Sequence, residues 1–209
     1  MTDRRIFAVG DIHGCSSKLE SLLEKIDWRP EDQEELIFLG DYIDRGPDSF
    51  GVVERVISVK NAHPDLVTTL KGNHEQMFIN FITGVEPLSL RDNGVSHTMR
   101  SYDRNGPFPP EHFKFLLDLE LYHETEDFIF VHAGLRPGVS LARQSEADCL
   151  WIRTDFLNSP YDFGKTVVFG HTPFREPFLA PGRAGLDTGA VFGGALTCME
   201  LTSGRLISV

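Results

Sequence analysis

The chain alternates short apolar runs with segments whose apolar residues recur at helical spacing. The runs RRIFAVG, ELIFLG and LVTTLKG predict three β-strands. Between them, SSKLESLLEKI and SFGVVERVISVK predict two helices, the first with Ser16 or Ser17 as its N-cap. Because strands joined by such short helical crossovers pair in parallel, this part of the chain predicts a parallel α/β unit with right-handed connections.

Four further strand-like runs follow without long helices between them: DFIFVHAG, KTVVFGHT, ALTCMEL and RLISV. Their spacing differs from the strand–helix–strand order of the first part of the chain. We therefore expect these four runs to form a second, mixed sheet.

Polar residues stand directly after five of the predicted strands, in the motifs GDIHG, GDYIDRG, GNHE, VHAG and FGHT. The carboxyl ends of parallel strands lie along one edge of a sheet, and ligands bind in the crevice there. Residues as distant in sequence as Asp11 and His171 are thus expected to converge.

These motifs supply carboxylate, imidazole and amide groups that suit a divalent metal ion. Asp11 and His13 would face the same way in an extended strand end, and the two oxygens of Asp41 could bridge two ions. Side chains for a second site are Asn73, His132 and His171. Without thiolates, this set fits Mn²⁺, Fe²⁺ or Zn²⁺. Two ions about 3.5–4 Å apart would promote in-line phosphoester hydrolysis.

The neighbours of these candidate ligands suggest the remaining catalytic roles. While Asn73 ligates a metal, His74 would point elsewhere and protonate the leaving oxygen, with Asp44 keeping it charged and oriented. Arg45 could hold the phosphoryl oxygens in a planar fork. Any one of these residues alone would be read as a turn former, a core histidine or a surface ion pair. The conjunction at five strand ends is what favours the metal site.

Composition narrows the class of protein. A chain of 209 residues suffices for one domain, which we expect to span residues 1–209. The formal net charge of −11 argues against a nucleic-acid partner. Three cysteines predict no disulfide framework, and no apolar run approaches the ~20 residues of a membrane span. With no signal-peptide core at the start, these features predict a cytoplasmic protein without a membrane partner.

In their order along the chain, GDIHG, GDYIDRG, GNHE, HAG and GHT resemble the signature motifs of the metallophosphoesterases. More narrowly, they resemble those of the phosphoprotein phosphatases, including small bacterial and phage members. The resemblance implies a hydrolase with a calcineurin-like α/β fold, a four-layer αββα sandwich with two mixed β-sheets. It also implies two divalent ions, with Mn²⁺ expected ahead of Fe or Zn.

The resemblance also assigns residues to each ion. The first would be held by Asp11, His13 and Asp41, and the second by Asp41, Asn73, His132 and His171. His74 with Asp44 would form the acid pair, and Arg45 would bind phosphate. In LWIRTDF, Arg153 resembles the second phosphate-binding arginine of bacterial members.

For the substrate, the leading expectation is phosphoserine or phosphothreonine in proteins, attacked directly by a metal-bridging hydroxide. Symmetrical diadenosine tetraphosphatases share the metal motifs but typically lack the Asp44-Arg45 pair, which favours a protein phosphatase. The alternative is a dinucleoside polyphosphate or nucleotide hydrolase with the same centre. An inert scaffold is disfavoured, because all six ligand positions carry competent side chains. The insert at 83–112 is either a substrate-selecting rim or an irregular surface loop.

Overall fold

Strands and helices alternate through most of the chain in the computed structural model, which describes residues 4–85 and 93–209. Within these residues the strands are β1 (Ile6–Val9), β2 (Glu35–Phe38), β3 (Val67–Thr69), β4 (Tyr122–Glu124), β5 (Phe128–Val131), β6 (Thr166–Phe169), β7 (Phe178–Ala180), β8 (Arg183–Gly185), β9 (Thr197–Glu200) and β10 (Arg205–Ser208). The helices are α1 (Ser16–Lys25), α2 (Ser49–Ala62), α3 (Asn73–Ile82), α4 (Val95–Asn105), α5 (Pro110–Asp118), α6 (Glu146–Trp151) and α7 (Thr154–Leu157).

The strands form two five-stranded mixed sheets. The first has the order β10-β9-β1-β2-β3, in which β1, β2 and β3 are parallel and β9 and β10 are antiparallel to their neighbours. The second has the order β4-β5-β6-β8-β7, with β5, β6 and β8 parallel. In each sheet the central parallel strands deliver their carboxyl ends to one edge.

Successive side chains of the central strands belong to different hydrophobic clusters, and these clusters define the layers of the fold. Phe7 packs with residues of α1 and α2, whereas its neighbour Ala8 packs against the second sheet. In β5, Phe130 faces the first sheet, whereas Ile129 packs with residues of α6 and α7. Successive strand residues point to opposite faces, so each sheet buries both faces. The expected four-layer αββα sandwich with two mixed sheets is confirmed.

The predicted membership of the second sheet is wrong in one respect. DFIFVHAG and KTVVFGHT do supply β5 and β6, but ALTCMEL and RLISV supply β9 and β10 of the first sheet. There β9 pairs with β1, with Ala8 opposite Met199. An apolar run indicates a strand, but it carries no information about which of two sheets will accept it, because that depends on long-range pairing.

Local details also differ from the sequence expectations. Helix α1 begins at Ser16 with Cys15 as its N-cap and no side-chain cap, so neither proposed serine is the cap. In the insert, residues 86–92 lie outside the described residues, while α4 and the start of α5 are helical. Over the described ranges, therefore, the insert is not simply an irregular loop. No helix in these same ranges has the length and hydropathy of a membrane span.

Candidate metal centre

The site is built by the loops that follow five parallel strands. Asp11 and His13 follow β1, Asp41 follows β2, His132 directly follows β5, and His171 follows β6. Asn73 and His74 begin α3 just after β3. The convergence expected from the strand-end pattern is therefore what the fold produces, with both sheets contributing to one crevice.

Five site residues hold an unusual backbone conformation. Of the six non-glycine residues with positive φ in the described part of the chain, five lie here: His13 (47°), Asp41 (52°), Asp44 (70°), Arg45 (66°) and His171 (63°). This region is disfavoured for side chains with a Cβ and clusters at functional sites. The expectation that Asp11 and His13 share a face of an extended strand is wrong, because β1 ends at Val9 and the following turn sets their directions.

Asp41 stands at the middle of the candidate ligands. Its Oδ2 lies 3.4 Å from Nε2 of His13, and its Oδ1 lies 3.4 Å from Nε2 of His132. All three side chains are buried. The two oxygens of one carboxylate thus face imidazoles from different sheets, which is the arrangement a bridging ligand requires.

Asn73 joins the two histidines of the second group. Its Oδ1 lies 3.0 Å from Nε2 of His132 and 2.9 Å from Nδ1 of His171. Ligand atoms of Asp41, His132 and His171 all lie within 4.8 Å of one another, and so do those of His13, Asp41 and His74. Oxygen and imidazole ligand atoms therefore cluster on both sides of Asp41.

Backbone carbonyls orient two of the imidazoles. Nδ1 of His13 donates to the carbonyl of Ile43 (2.8 Å), and Nδ1 of His132 donates to that of Leu39 (2.9 Å). In each ring this leaves the Nε2 lone pair facing the centre. Such outer hydrogen bonds are the usual means of fixing the tautomer of a metal-binding histidine.

The electrostatics of these groups suit a cation. Burial lowers the pKa of His13 to about 3 and that of His171 to about 2, and it also lowers the pKa of His132. For Asp41, burial opposes ionisation, but the neighbouring imidazoles outweigh it and lower the pKa. Neutral imidazoles around an ionised carboxylate are the protonation states that metal ligation demands. The residues present therefore fit a pair of divalent ions.

Asp11 is placed differently from the other candidate ligands. Both of its carboxylate oxygens accept the backbone N–H of His171, at 3.1 and 3.0 Å, and it belongs to neither of the ligand groups described above. Burial, together with the charges of Asp187 and Asp41, raises the pKa of Asp11 well above its usual range. A cation at this edge would offset that repulsion between carboxylates. A ligand role for Asp11 stays a prediction.

His74 and Asp44 form the expected pair. Nδ1 of His74 donates to Oδ2 of Asp44 at 2.7 Å, and both side chains are buried. Burial would lower the pKa of His74, but the charge of Asp41 and the hydrogen bond to Asp44 outweigh it and raise the pKa. The protonated imidazole is thus stabilised relative to a free histidine, and Nε2 is the ring nitrogen not used by Asp44.

Two arginines flank the ligands. Nη1 of Arg45 donates to Nε2 of His13 at 2.5 Å, and Nε of Arg153 donates to Nε2 of His171 at 3.0 Å. Both guanidinium groups line a cavity of about 160 Å³, whose wall also includes Asp41, Asn73, His74, Asn93, Trp151 and His171. The cavity can admit a phosphoryl group next to the guanidinium groups of Arg45 and Arg153 and beside the candidate acid His74.

Glu75 has a structural role here that the sequence motif did not reveal. Its buried carboxylate accepts four backbone N–H groups, those of Gly72, Asp41, Tyr42 and Ile43, at 2.8 to 3.2 Å. Burial and the charge of Asp41 raise the pKa of Glu75 to about 8. In the sequence, the feature that could have indicated this role is the position of Glu75 directly after Asn73 and His74 in GNHE. Its role is to lock the Asp41 loop onto the start of α3.

Thr98 was also missed, because it lies in the insert. Its hydroxyl donates to Oδ1 of Asp44 at 2.6 Å and accepts from the Asp44 backbone N–H at 2.9 Å. Gly94, just before α4, accepts a hydrogen bond from the backbone of Arg45. Helix α4 therefore supports the acid pair from behind. Because α4 has few apolar residues, its sequence did not predict that it would pack against Asp44.

The chain is similar to known proteins over nearly its whole length. Bis(5'-nucleosyl)-tetraphosphatase PrpE [asymmetrical] of Bacillus cereus (strain AH820) is 29% identical over 234 aligned positions, which cover 96% of this chain and 92% of the relative. A crystal structure of a proposed diadenosine tetraphosphatase superimposes with a TM-score of 0.79 and 26% identity, covering 99% of this chain and 93% of that one.

More distant structures share the fold alone. A protein serine/threonine phosphatase from Saccharomyces cerevisiae matches with a TM-score of 0.67 and 19% identity, covering all of this chain and 80% of its own. The narrower resemblance to phosphoprotein phosphatases is therefore not specifically supported. The family model described as calcineurin-like phosphoesterase matches residues 4–196. The chain belongs to the calcineurin-like phosphoesterase family, whose members are metal-dependent hydrolases.

Proposed function

We propose that the protein is a metal-dependent hydrolase of dinucleoside tetraphosphates that cleaves the phosphate chain asymmetrically. The observation that carries this proposal is the 29% identity to a bis(5'-nucleosyl)-tetraphosphatase [asymmetrical], which extends over nearly the full length of both chains. A dinucleoside polyphosphate or nucleotide hydrolase was the alternative expectation from the sequence, which did not predict asymmetric cleavage. The comparisons support it better than the leading expectation, a phosphoserine or phosphothreonine phosphatase.

Each set of residues has one task in this reaction. Asp11, His13 and Asp41, with Asn73, His132 and His171, would hold two divalent ions, which supply Lewis-acid activation of the phosphoryl oxygens and of the attacking water. Mn²⁺, Fe²⁺ and Zn²⁺ all suit these ligands.

The substrate is held by charge and released by proton transfer. Arg45 and Arg153 both line the cavity and bind the phosphoryl oxygens. Water adds to phosphorus and loses one proton to solvent as the bridging P–O bond breaks, while the departing phosphate oxygen takes a proton from Nε2 of His74, which is reprotonated from solvent after each turnover. Asp44 keeps that imidazole protonated and fixes its orientation through Nδ1.

The test is a product analysis with the metal-reconstituted protein and diadenosine tetraphosphate. We expect ATP and AMP in equal amounts, and a kcat/KM above that for a phosphothreonine peptide. Two molecules of ADP would contradict asymmetric cleavage. Preference for the peptide would reject the proposed substrate and restore the protein phosphatase expectation, which the Asp44-Arg45 pair favours. The His74→Asn protein, prepared identically, controls for contaminating hydrolases.

A further inference from the structure

A second cleft adjoins the metal-site cavity. It has a volume of about 330 Å³, and its wall includes Arg136, Asp148, Trp151, Arg153 and Asp155. Two of these residues, Trp151 and Arg153, also line the metal-site cavity. The two spaces therefore adjoin at Trp151 and Arg153, so a molecule whose phosphate is bound at Arg153 lies beside this second cleft.

Trp151 presents a large aromatic surface at the junction of the two spaces. It is the last residue of α6 and is 46% exposed, whereas its neighbours Leu150 and Ile152 are buried. Its ring lies 6.0 Å from that of His171, and the two planes make an angle of 84°. The buried neighbours fix the helix end, so the indole is held beside the metal site rather than in the core.

The charges of the two spaces differ. The metal-site cavity has Arg45 and Arg153 at its wall. In the second cleft, Arg136 is already paired with Asp148, at 2.5 and 2.9 Å, and lies 3.8 Å from Asp155. A further phosphate would meet two carboxylates there. Those carboxylates can accept hydrogen bonds from sugar hydroxyls or from the amino group of a base.

We propose that the second cleft is a nucleoside subsite in which Trp151 stacks against the base of a nucleotide whose phosphates are bound at Arg153. This deepens the proposed function and rests on it for the identity of the substrate. An aromatic ring is the usual protein surface for an unpaired base, and stacking strengthens the binding of each base by about tenfold to a hundredfold. Ligand clefts of this kind fall in the range of about 300–1,000 Å³.

The same surface could accept an aromatic side chain of a phosphopeptide. The carboxylates favour the nucleoside, because ribose hydroxyls and an exocyclic amine donate hydrogen bonds that an aromatic side chain such as phenylalanine lacks. The cleft also opens next to the phosphate-binding arginine, where the sugar of a nucleotide must lie. The experiments below distinguish the two occupants.

The first experiment measures binding without turnover. The chain has two tryptophans, so Trp28→Phe leaves Trp151 as the only one. We expect an ATP analogue with a non-hydrolysable imido bridge to quench the fluorescence of the metal-loaded Trp28→Phe protein. Inorganic tripolyphosphate, which has three phosphates but no base, should not quench this fluorescence. Equal responses to the two probes would overturn the subsite. Circular dichroism of Trp28→Phe checks that the variant is folded.

The second experiment measures the kcat/KM for diadenosine tetraphosphate divided by that for p-nitrophenyl phosphate. Trp151→Ala should lower this ratio about tenfold to a hundredfold, and Trp151→Phe should restore most of it. Tyr161→Ala, which removes a comparably exposed aromatic ring outside both spaces, should leave the ratio unchanged. An unchanged ratio in Trp151→Ala, or a loss for a phosphotyrosine peptide instead, would reject the nucleoside.

The two proposals fail in different ways. If the wild-type protein does not hydrolyse diadenosine tetraphosphate, the proposed function is wrong, whatever Trp151 does. If hydrolysis occurs but the fluorescence responds equally to both probes, only the subsite is wrong. A base-dependent fluorescence response without hydrolysis would keep the nucleoside subsite and reject the tetraphosphate as substrate.

Discussion

The two sheets contribute unequal halves to the site. At the edge of the first sheet, Asp41 and its loop are buried, and three backbone N–H groups of the loop donate hydrogen bonds to Glu75. At the edge of the second sheet, His132 is equally buried, but Arg153 and Trp151 border an open cleft. One half is held by dense backbone contacts, and the other leaves room for a ligand.

This difference separates chemistry from substrate choice. Four of the six candidate ligands, which must meet metal ions within tenths of an ångström, lie on the constrained first-sheet side: Asp11, His13, Asp41 and Asn73. The residues that meet the variable part of a substrate lie at the rim. Changes on the first-sheet side should therefore lower turnover for every phosphoester, while changes around Trp151 should act on some substrates and not on others.

The largest effect is expected from Asp41→Asn. Removing the charge between His13 and His132 weakens both ion sites at once, so metal content and activity should fall together. The loss of activity should be greater than the roughly 10- to 100-fold loss that is typical when a hydrogen-bond partner of a metal ligand is removed. Metal analysis of the dialysed protein, alongside kcat/KM for two unlike phosphoesters, checks this. Full metal content in the variant would show that Asp41 is not the shared ligand.

His74→Asn should be next. Without its proton donor the protein should lose about 10²–10⁴-fold in kcat while retaining its metal, because general acid catalysis typically contributes that much. The loss should be larger for phenyl phosphate than for p-nitrophenyl phosphate, because phenolate is the more basic leaving group and depends more on protonation. A parallel fall in metal content would instead make His74 a ligand, which its position beside His13 and Asp41 would explain.

The pH profile provides a separate test of the same residue. Since the pKa of folded His74 is raised, its protonated form persists to a higher pH than that of a free histidine and is lost as the pH rises through the raised pKa. We expect kcat of the wild-type protein to fall on the alkaline side. That limb should be absent from His74→Asn. Its persistence in the variant would assign the limb to another group.

Glu75→Gln should have a smaller effect, through position alone. One oxygen that accepts backbone N–H groups becomes an amide donor, which costs about 1–3 kcal/mol of unfolding free energy. Metal affinity should weaken about 10- to 100-fold, as expected for a partner of a ligand loop. Denaturant unfolding and metal titration measure the two quantities. Glu24→Gln, an exposed change on α1, is the matched control and should alter neither.

Thr98→Val is expected to have the smallest effect. It removes the hydroxyl that donates to Asp44 and so loosens the orientation of His74, which should lower kcat about tenfold with KM unchanged. Thr83→Val, which removes a hydroxyl bonded to the carbonyl of Ile79, is the control. A change confined to KM would contradict the support role of α4.

The sequence located the candidate ligands because each follows a short apolar run, and a parallel sheet gathers such positions at one edge. It did not reveal Thr98, since VSHTMRSYDRN has too few apolar residues to mark a buried helix. Nor did it place β9 and β10, whose partners are set by pairing with β1 across the length of the chain. The local pattern of apolar residues predicts that a segment forms a strand or a helix, whereas contacts between residues distant in sequence determine which sheet the strand joins.

The pairing of β9 with β1 has a consequence for how the protein is made. During synthesis the N-terminal residues emerge first, so β1 has one unpaired edge until residues 197–200 have left the ribosome. The Asp11 and Asp41 loops stand at the ends of strands in that unfinished sheet. We therefore expect the metal ions to bind after β9 has been translated, and not while only the N-terminal strands have formed.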